Sequence, residues 1–186
     1  MRKNLGVKAV LYPQPVLIIA AYDENGRPCV MNAAWGGIKD KDQLAMCVNP
    51  AHDTIRAARA SGAFTVSVGQ ADMVRACDYV GITSGNDVPD KFERAGFHAA
   101  KSSFVNAPII DELALCFECE LVSYNEPGRY MVGRVLNVSA DESVLNAAGK
   151  IDVAKLAPIT FDASNLQYVK LGEVVDKAFS CGKDLQ

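Results

Sequence analysis

The sequence predicts a mainly β fold, a β-barrel with a few short helices packed outside it. Three observations point there. Six or more short apolar segments rich in β-branched and aromatic residues recur along the chain, separated by turn-forming Gly, Pro, Asn and Asp. Only two or three short stretches have the spacing of an amphipathic helix. The 186 residues allow one sizeable core. Residues 1–186 are therefore expected to form a single domain.

Val16 to Tyr22 is an unbroken apolar run of strand length, the pattern of a strand buried on both faces. Asp23-Glu24-Asn25-Gly26 follows as a hairpin turn, because Asn-Gly supplies the positive φ angles such turns require. Pro28 to Ala34 returns as a second strand and Gln43 to Asn49 makes a third, ended by Pro50. A helix is expected from Asp53 or Thr54 to Ala60, with one of those two residues as its N-cap and Gly62 beyond its end. Ala63 to Val68 alternates as a strand with a partly polar face. Asp72 to Val80 has helical spacing, with Met73, Val74, Cys77 and Val80 on one side. Gly81 to Pro89 lacks core residues and reads as a loop. Two long strands, Leu113 to Tyr124 and Tyr130 to Ala140, are joined through Asn125-Glu126-Pro127-Gly128, and the last quarter of the chain reads as irregular.

Composition narrows the function. The net charge is -3, so there is no basic excess of the kind that binding to nucleic-acid phosphates rests on, and nucleic acid is not expected as a partner. The longest apolar run is strand-sized, far short of a membrane-spanning helix, and the basic start Met1-Arg2-Lys3 has no secretory apolar core behind it. A soluble, cytoplasmic chain is expected. The six cysteines are scattered among apolar runs, unlike a disulfide scaffold. Cys116 and Cys119 form a C-x-x-C, the spacing of half a zinc site or a redox pair. Strand alternation, however, places Cys119 with Leu115, Phe117 and Leu121, and Cys116 with Glu118 and Glu120 on the opposite face. No metal site is expected.

The common phosphate-loop, dinucleotide, metalloprotease and nucleophile-elbow motifs are missing. With two histidines, His52 and His98, and no carboxylate pair set apart for acid–base work, no catalytic side chain is assigned. An enzyme of this composition would rely on a bound cofactor. Three segments have the chemistry of a ring-and-anion site. Asn32-Ala33-Ala34-Trp35-Gly36-Gly37 ends a strand in small residues that let a flat ligand approach the backbone; its other reading is a strand end with a core Trp. Asn49-Pro50-Ala51-His52-Asp53-Thr54 opens a helix, whose unpaired N–H groups attract anions, though plain capping explains the same residues. Thr83 to Phe92 is a polar loop ending in Lys91, of the kind that is often simply solvated. One favourable charge at a helix end contributes about 0.3–1 kcal/mol, against roughly 8 kcal/mol for micromolar binding. Several segments must therefore converge.

Taken in order, Leu5-Gly6, Tyr12-Pro13-Gln14-Pro15-Val16, Asn32 to Gly37, Asn49 to Thr54, Ala63-Phe64-Thr65-Val66-Ser67 and Asp78-Tyr79-Val80-Gly81-Ile82-Thr83-Ser84-Gly85 leading to Asp90-Lys91-Phe92 resemble the flavoredoxin branch of the flavin reductase-like, FMN-binding split-barrel family. Pro158-Ile159-Thr160-Phe161, Tyr168, Lys177-Ala178-Phe179 and Gly182-Lys183 continue the likeness. It implies a split β-barrel of Greek-key type, FMN as cofactor and a homodimer with the flavin near the subunit interface. It further implies that Asn32, Ala33, Ala34 and Trp35 line the ring, with Val48 and Asn49 against the same ring system. His52, Thr54, Ser84, Gly85 and Lys91 would hold the phosphate. Phe161, from this chain or its partner, would close over the flavin. Cys29 stands where many members have a polar residue. Reductase members often place a His before the strand that begins here at Met131-Val132-Gly133; this chain has Glu126-Pro127-Gly128-Arg129-Tyr130. Three readings stay open: an FMN-dependent oxidoreductase passing electrons from a reduced donor such as NAD(P)H to an acceptor, a flavin-binding electron carrier without a nicotinamide site, and a non-enzymatic barrel holding another flat ligand such as haem.

Overall fold

Leu17–Tyr22 (β1) pairs antiparallel with Pro28–Ala33 (β2) in the register Leu17↔Ala33 to Tyr22↔Pro28. The hairpin turn between them forms where expected, but with a single positive φ at Gly26 rather than one at each of Asn25 and Gly26, because Asp23 closes a longer loop. Gly26 adopts φ 76° and donates to Asp23 O at 3.0 Å, while Asp23 Oδ1 accepts the Asn25 and Arg27 N–H groups at 2.9 Å. The computed structural model describes residues 1–185.

After β2 come Gly36–Asp40 (β3), Gln43–Cys47 (β4), helix Asp53–Ser61 (α1) and Ala63–Val68 (β5). A 3₁₀ turn at Ala71–Met73 leads into helix Val74–Ile82 (α2), followed by the short helix Lys91–Arg94 (α3). The small hairpin Ala99–Lys101 (β6) and Pro108–Ile110 (β7) precedes the long strands Leu115–Asn125 (β8) and Tyr130–Ala140 (β9). A one-turn helix, Val153–Leu156 (α4), and a second hairpin, Ile159–Asp162 (β10) with Gln167–Lys170 (β11), complete the fold.

Among the described residues seven strands form one antiparallel sheet in the order β2-β1-β5-β8-β9-β4-β3. Its outermost strands, β2 and β3, are consecutive in the chain and separated by Ala34 and Trp35 alone. A flat sheet of this size holds its edges roughly 29 Å apart, whereas three Cα steps from Ala33 to Gly36 reach at most about 11 Å. The sheet must therefore curl until its edges meet at that corner. Gly36 shows the meeting directly: a Cβ there would lie 2.5 Å from Met46 Cγ of β4 and 3.0 Å from Leu17 Cδ1 of β1. Cys47 N–H donates to Trp35 O at 2.7 Å across the same corner.

Inside the curl, Leu17, Ile19, Met31, Leu44, Met46, Phe64, Val66 and Met131 form the larger apolar cluster, capped by Ile55 and Ala58 of α1. The other face of β1 is buried too. Ile18 and Ala20 pack with Val30, Cys77, Val80, Phe92 and Phe97 beneath α2 and α3. Both-sided burial explains why β1 reads as a continuous apolar run. Cys119 lies in the barrel cluster and Cys116 lies on the far side beside Ser67. Burial pushes the Cys116 thiol up to about 11 and that of Cys119 to about 12, which suppresses the reactive thiolate.

The differences from expectation are local. α1 begins at Asp53, but His52 occupies the N-cap position and no side chain caps the helix. Its end is as expected, with Gly62 at φ 71° donating to Ala58 O. Gly81 and Ile82 belong to α2, not to the loop. The supposedly irregular last quarter contains the β10–β11 hairpin, strapped to the start of the chain. Tyr12 OH donates to Asp162 Oδ1, and Phe161 N–H donates to Gln14 O at 2.8 Å. Gln14 N–H and Thr160 Oγ1 complete the strap, bonding at 2.7 Å. Among the described residues no helix is long and apolar enough to cross a membrane.

Gly133 of β9 faces the centre of the barrel, where a Cβ would collide with the Phe64 ring. Gly133→Ala is expected to destabilise the fold by about 1–3 kcal/mol through overpacking, read as a lower urea midpoint with an unchanged slope.

Candidate functional site

The carboxyl end of α2 is where the three separate sequence segments meet. Asn32, near the end of β2, donates from its side-chain amide to Cys77 O at 3.0 Å. Gly81 lies so close that its missing Cβ would sit 3.1 Å from Asn32 Cβ. On the other side of the same turn the Lys91 ammonium donates to Thr83 O at 3.0 Å and Val80 O at 3.3 Å. Residues 80–83 are thus bracketed by Asn32 and Lys91. A cleft of about 300 Å³ opens beside them, lined by Asn32, Ala34, Gly81, Ile82, Phe161 and Tyr168 among others.

Close to the start of α1, Lys91 is buried. An ammonium has three donors, and two carbonyls accept from it, so one N–H has no acceptor among the described residues. Burial lowers its pKa, partly offset by the nearby Asp53 charge. The uncapped start of α1 adds N–H groups that no side chain satisfies, with the Thr54 hydroxyl buried beside them. Lost hydration and then the Lys91 charge push the His52 imidazole below its ordinary pKa. Gly85 lies against the Asp53 carboxylate, which a Cβ at that position would have to displace. The loop is fastened here by Arg56, whose guanidinium donates to Ala51 O at 2.7 Å and Asn86 Oδ1 at 2.5 Å. Ser84 closes the turn, its carbonyl accepting from Asp87 and Val88 N–H. A buried cation with an unspent donor, next to an uncapped helix start, suits a phosphate group.

The remaining sequence candidates are placed differently. Ala33 and Val48 turn their side chains into the barrel core. The Val48 backbone is already occupied, its N–H donating to Arg129 O and its carbonyl accepting from Tyr124 OH, both at 2.8 Å. Asn49 stands at the entrance to α1, its Oδ1 accepting from Ala51 N–H. Trp35 is not a core residue; it is 58% exposed at the barrel corner. With Gln14, Leu11 and Ala34 it lines a second cleft of about 420 Å³. Phe161 reaches the Asn32–Ala34 cleft from its own chain, set against Tyr168 with ring centroids 6.0 Å apart. Tyr168 and Asp78, which the chain pattern does not assign to a site, also line this cleft, and Tyr168 OH donates to Asp78 Oδ1 at 2.8 Å. Their separation of 90 positions hides the pairing from any local motif.

Residues 9–169 match the flavin reductase like domain. The chain belongs to that family. The structure superposes on flavoredoxin of Desulfovibrio vulgaris (Miyazaki F) with a TM-score of 0.93 and 35% identity, covering 98% of this chain and 100% of the other. Flavoredoxin from Methanosarcina acetivorans gives a TM-score of 0.89 at 26% identity, covering 100% of both chains. Nitrilotriacetate monooxygenase component B from Bacillus cereus shares the fold at a TM-score of 0.76 and 22% identity, with 90% of this chain and 88% of that one covered. No curated protein matches the sequence. The family's split-barrel fold accounts for the curled sheet described above.

The His52 imidazole should titrate by NMR below the ordinary histidine value of about 6.5. Saturating inorganic phosphate should move that titration upward, because an anion neutralises the Lys91 charge that opposes protonation; Lys91→Met should abolish the movement.

Proposed function

We propose that the protein binds FMN and transfers electrons between a reduced donor and an acceptor, in the manner of a flavoredoxin. The observation that carries this reading is the cleft beside residues 80–83, bounded by Asn32, Ala34 and Phe161, with Lys91 and the open start of α1 on the far side of the same turn. A phosphorylated tricycle requires this combination of apolar walls and a cationic end. FMN supplies the electron-accepting ring system; the protein supplies no general acid or base of its own.

Each residue then has a defined task. Lys91, Thr54, His52 and the α1 N–H groups neutralise and fix the phosphate, with Ser84 and Gly85 shaping the loop around it. Asn32, already anchored to Cys77 O, holds its strand end rigid beside the ring. Ala34 leaves room for close approach, and Phe161 excludes water from one side of the cleft.

The donor is a separate question. The β8–β9 turn has no His, and its Arg129 is exposed at φ 51° with its carbonyl committed to Val48. This favours a second reading, a carrier that receives electrons without binding a nicotinamide. We further propose a homodimer, supported by Trp35, Ile38 and Tyr130, exposed apolar side chains that border one shallow cleft at the barrel corner.

FMN added to the apoprotein should lose its fluorescence with one-to-one stoichiometry. Lys91→Met should weaken binding about tenfold to a hundredfold, as expected for losing one charged hydrogen bond. Absence of any fluorescence change in the wild-type protein would end the proposal. Stopped-flow mixing of the loaded protein with NADH or NADPH separates the readings, since rapid bleaching excludes the carrier. Light scattering is expected to give twice the chain mass, near 40 kDa, from the 19.9 kDa chain; the monomer mass would remove the dimer.

A further inference from the structure

The cleft contains one charge that phosphate binding leaves unused. Asp78 projects from α2, half-buried, and lines the cleft together with Asn32, Phe161 and Tyr168. Among the described residues no Lys, Arg or His forms an ion pair with it. Among the described residues its side-chain hydrogen bond is the one from Tyr168 OH at 2.8 Å to Oδ1, and Oδ2 has no donor there. Tyr168 is itself constrained, paired within β11 against Phe161 of β10. Burial and the neighbouring Asp78 push its phenol pKa well above the ordinary value of 10.0, so it remains a donor.

We propose that Asp78, clamped by Tyr168, is a fixed negative charge that sets the reduction potential of the ring bound in this cleft. The inference rests on the FMN reading above and assigns this pair a role within it. Adding electrons to a ring close to an unpaired carboxylate is opposed electrostatically, and the opposition is strong where water is excluded. The oxidised ring carries no such penalty. Asp78 therefore discriminates between the two redox forms more than between bound and free cofactor. Lys91, held on the far side of residues 80–83, serves the phosphate instead. Tyr168 is a positioning residue: its hydroxyl prevents the carboxylate from swinging away into solvent.

The test compares the FMN-loaded wild type with Asp78→Asn, Asp78→Glu and Tyr168→Phe. The midpoint potential is measured by dye-linked reductive titration, and the affinity for oxidised FMN by fluorescence. Asp78→Asn is expected to raise the potential. By linkage, its affinity for reduced relative to oxidised FMN should rise about tenfold, with oxidised-FMN affinity within about threefold of wild type. Asp78→Glu should restore a potential close to wild type because the charge returns. Tyr168→Phe should move the potential in the same direction but less far. If Asp78→Asn does not fold, Asp78→Ser provides the neutral variant. An unchanged potential in the neutral variant, with FMN still bound, overturns the role of Asp78 while leaving the FMN reading intact. A Tyr168→Phe shift as large as that of Asp78→Asn assigns the effect to the hairpin wall and overturns it as well. Failure of the wild type to bind FMN removes both.

Discussion

The two-residue link between β2 and β3 is the constraint from which the rest of the molecule follows. Strands at opposite ends of a seven-stranded sheet are joined by Ala34 and Trp35, so the hydrogen-bonded ribbon has to close on itself. Closure creates the interior that Phe64, Met46 and Met131 fill, and it explains why glycine stands at 36 and 133, where β-carbons have no room. It also fixes the end of β2. Asn32 and Ala34 lie beside a corner held by the strand link and by the Cys47 N–H bond to Trp35 O, which suits a surface that receives a rigid planar ligand.

The helices complete what the barrel begins. α2 covers the outer face of β1 and β2 through Cys77 and Val80, and this packing brings its last turn against Asn32. Lys91 then spends two of its donors on that turn and keeps the third. The ammonium thus joins α2 to α3 while retaining capacity for an anion, so part of the site is built from the same contacts that stabilise the fold.

Much of this was legible in the residues. The both-sided apolar run of β1, the Asn-Gly hairpin and the Gly62 terminus of α1 are local signals, and each appears where its chemistry places it. Edge elements gave no such signal. β3 has one large apolar residue, Ile38, and it is exposed; β6 is exposed throughout and shows no alternation. Asp53 and Thr54 are good N-caps by type, yet His52 takes the cap position of α1 and leaves the helix start open. Of the two readings of Trp35, a core residue or part of a ligand surface, the core one does not hold, since the side chain is largely solvent-facing at the corner. The Asp78–Tyr168 pair depends on how the last hairpin docks on α2, information distributed over half the chain.

The strap from Tyr12 and Gln14 to β10 ties the first part of the chain to the last. The hairpin that carries Phe161 and Tyr168 is therefore anchored at the opposite terminus, so the aromatic wall of the cleft depends on residues 12–14 as much as on β10 and β11 themselves.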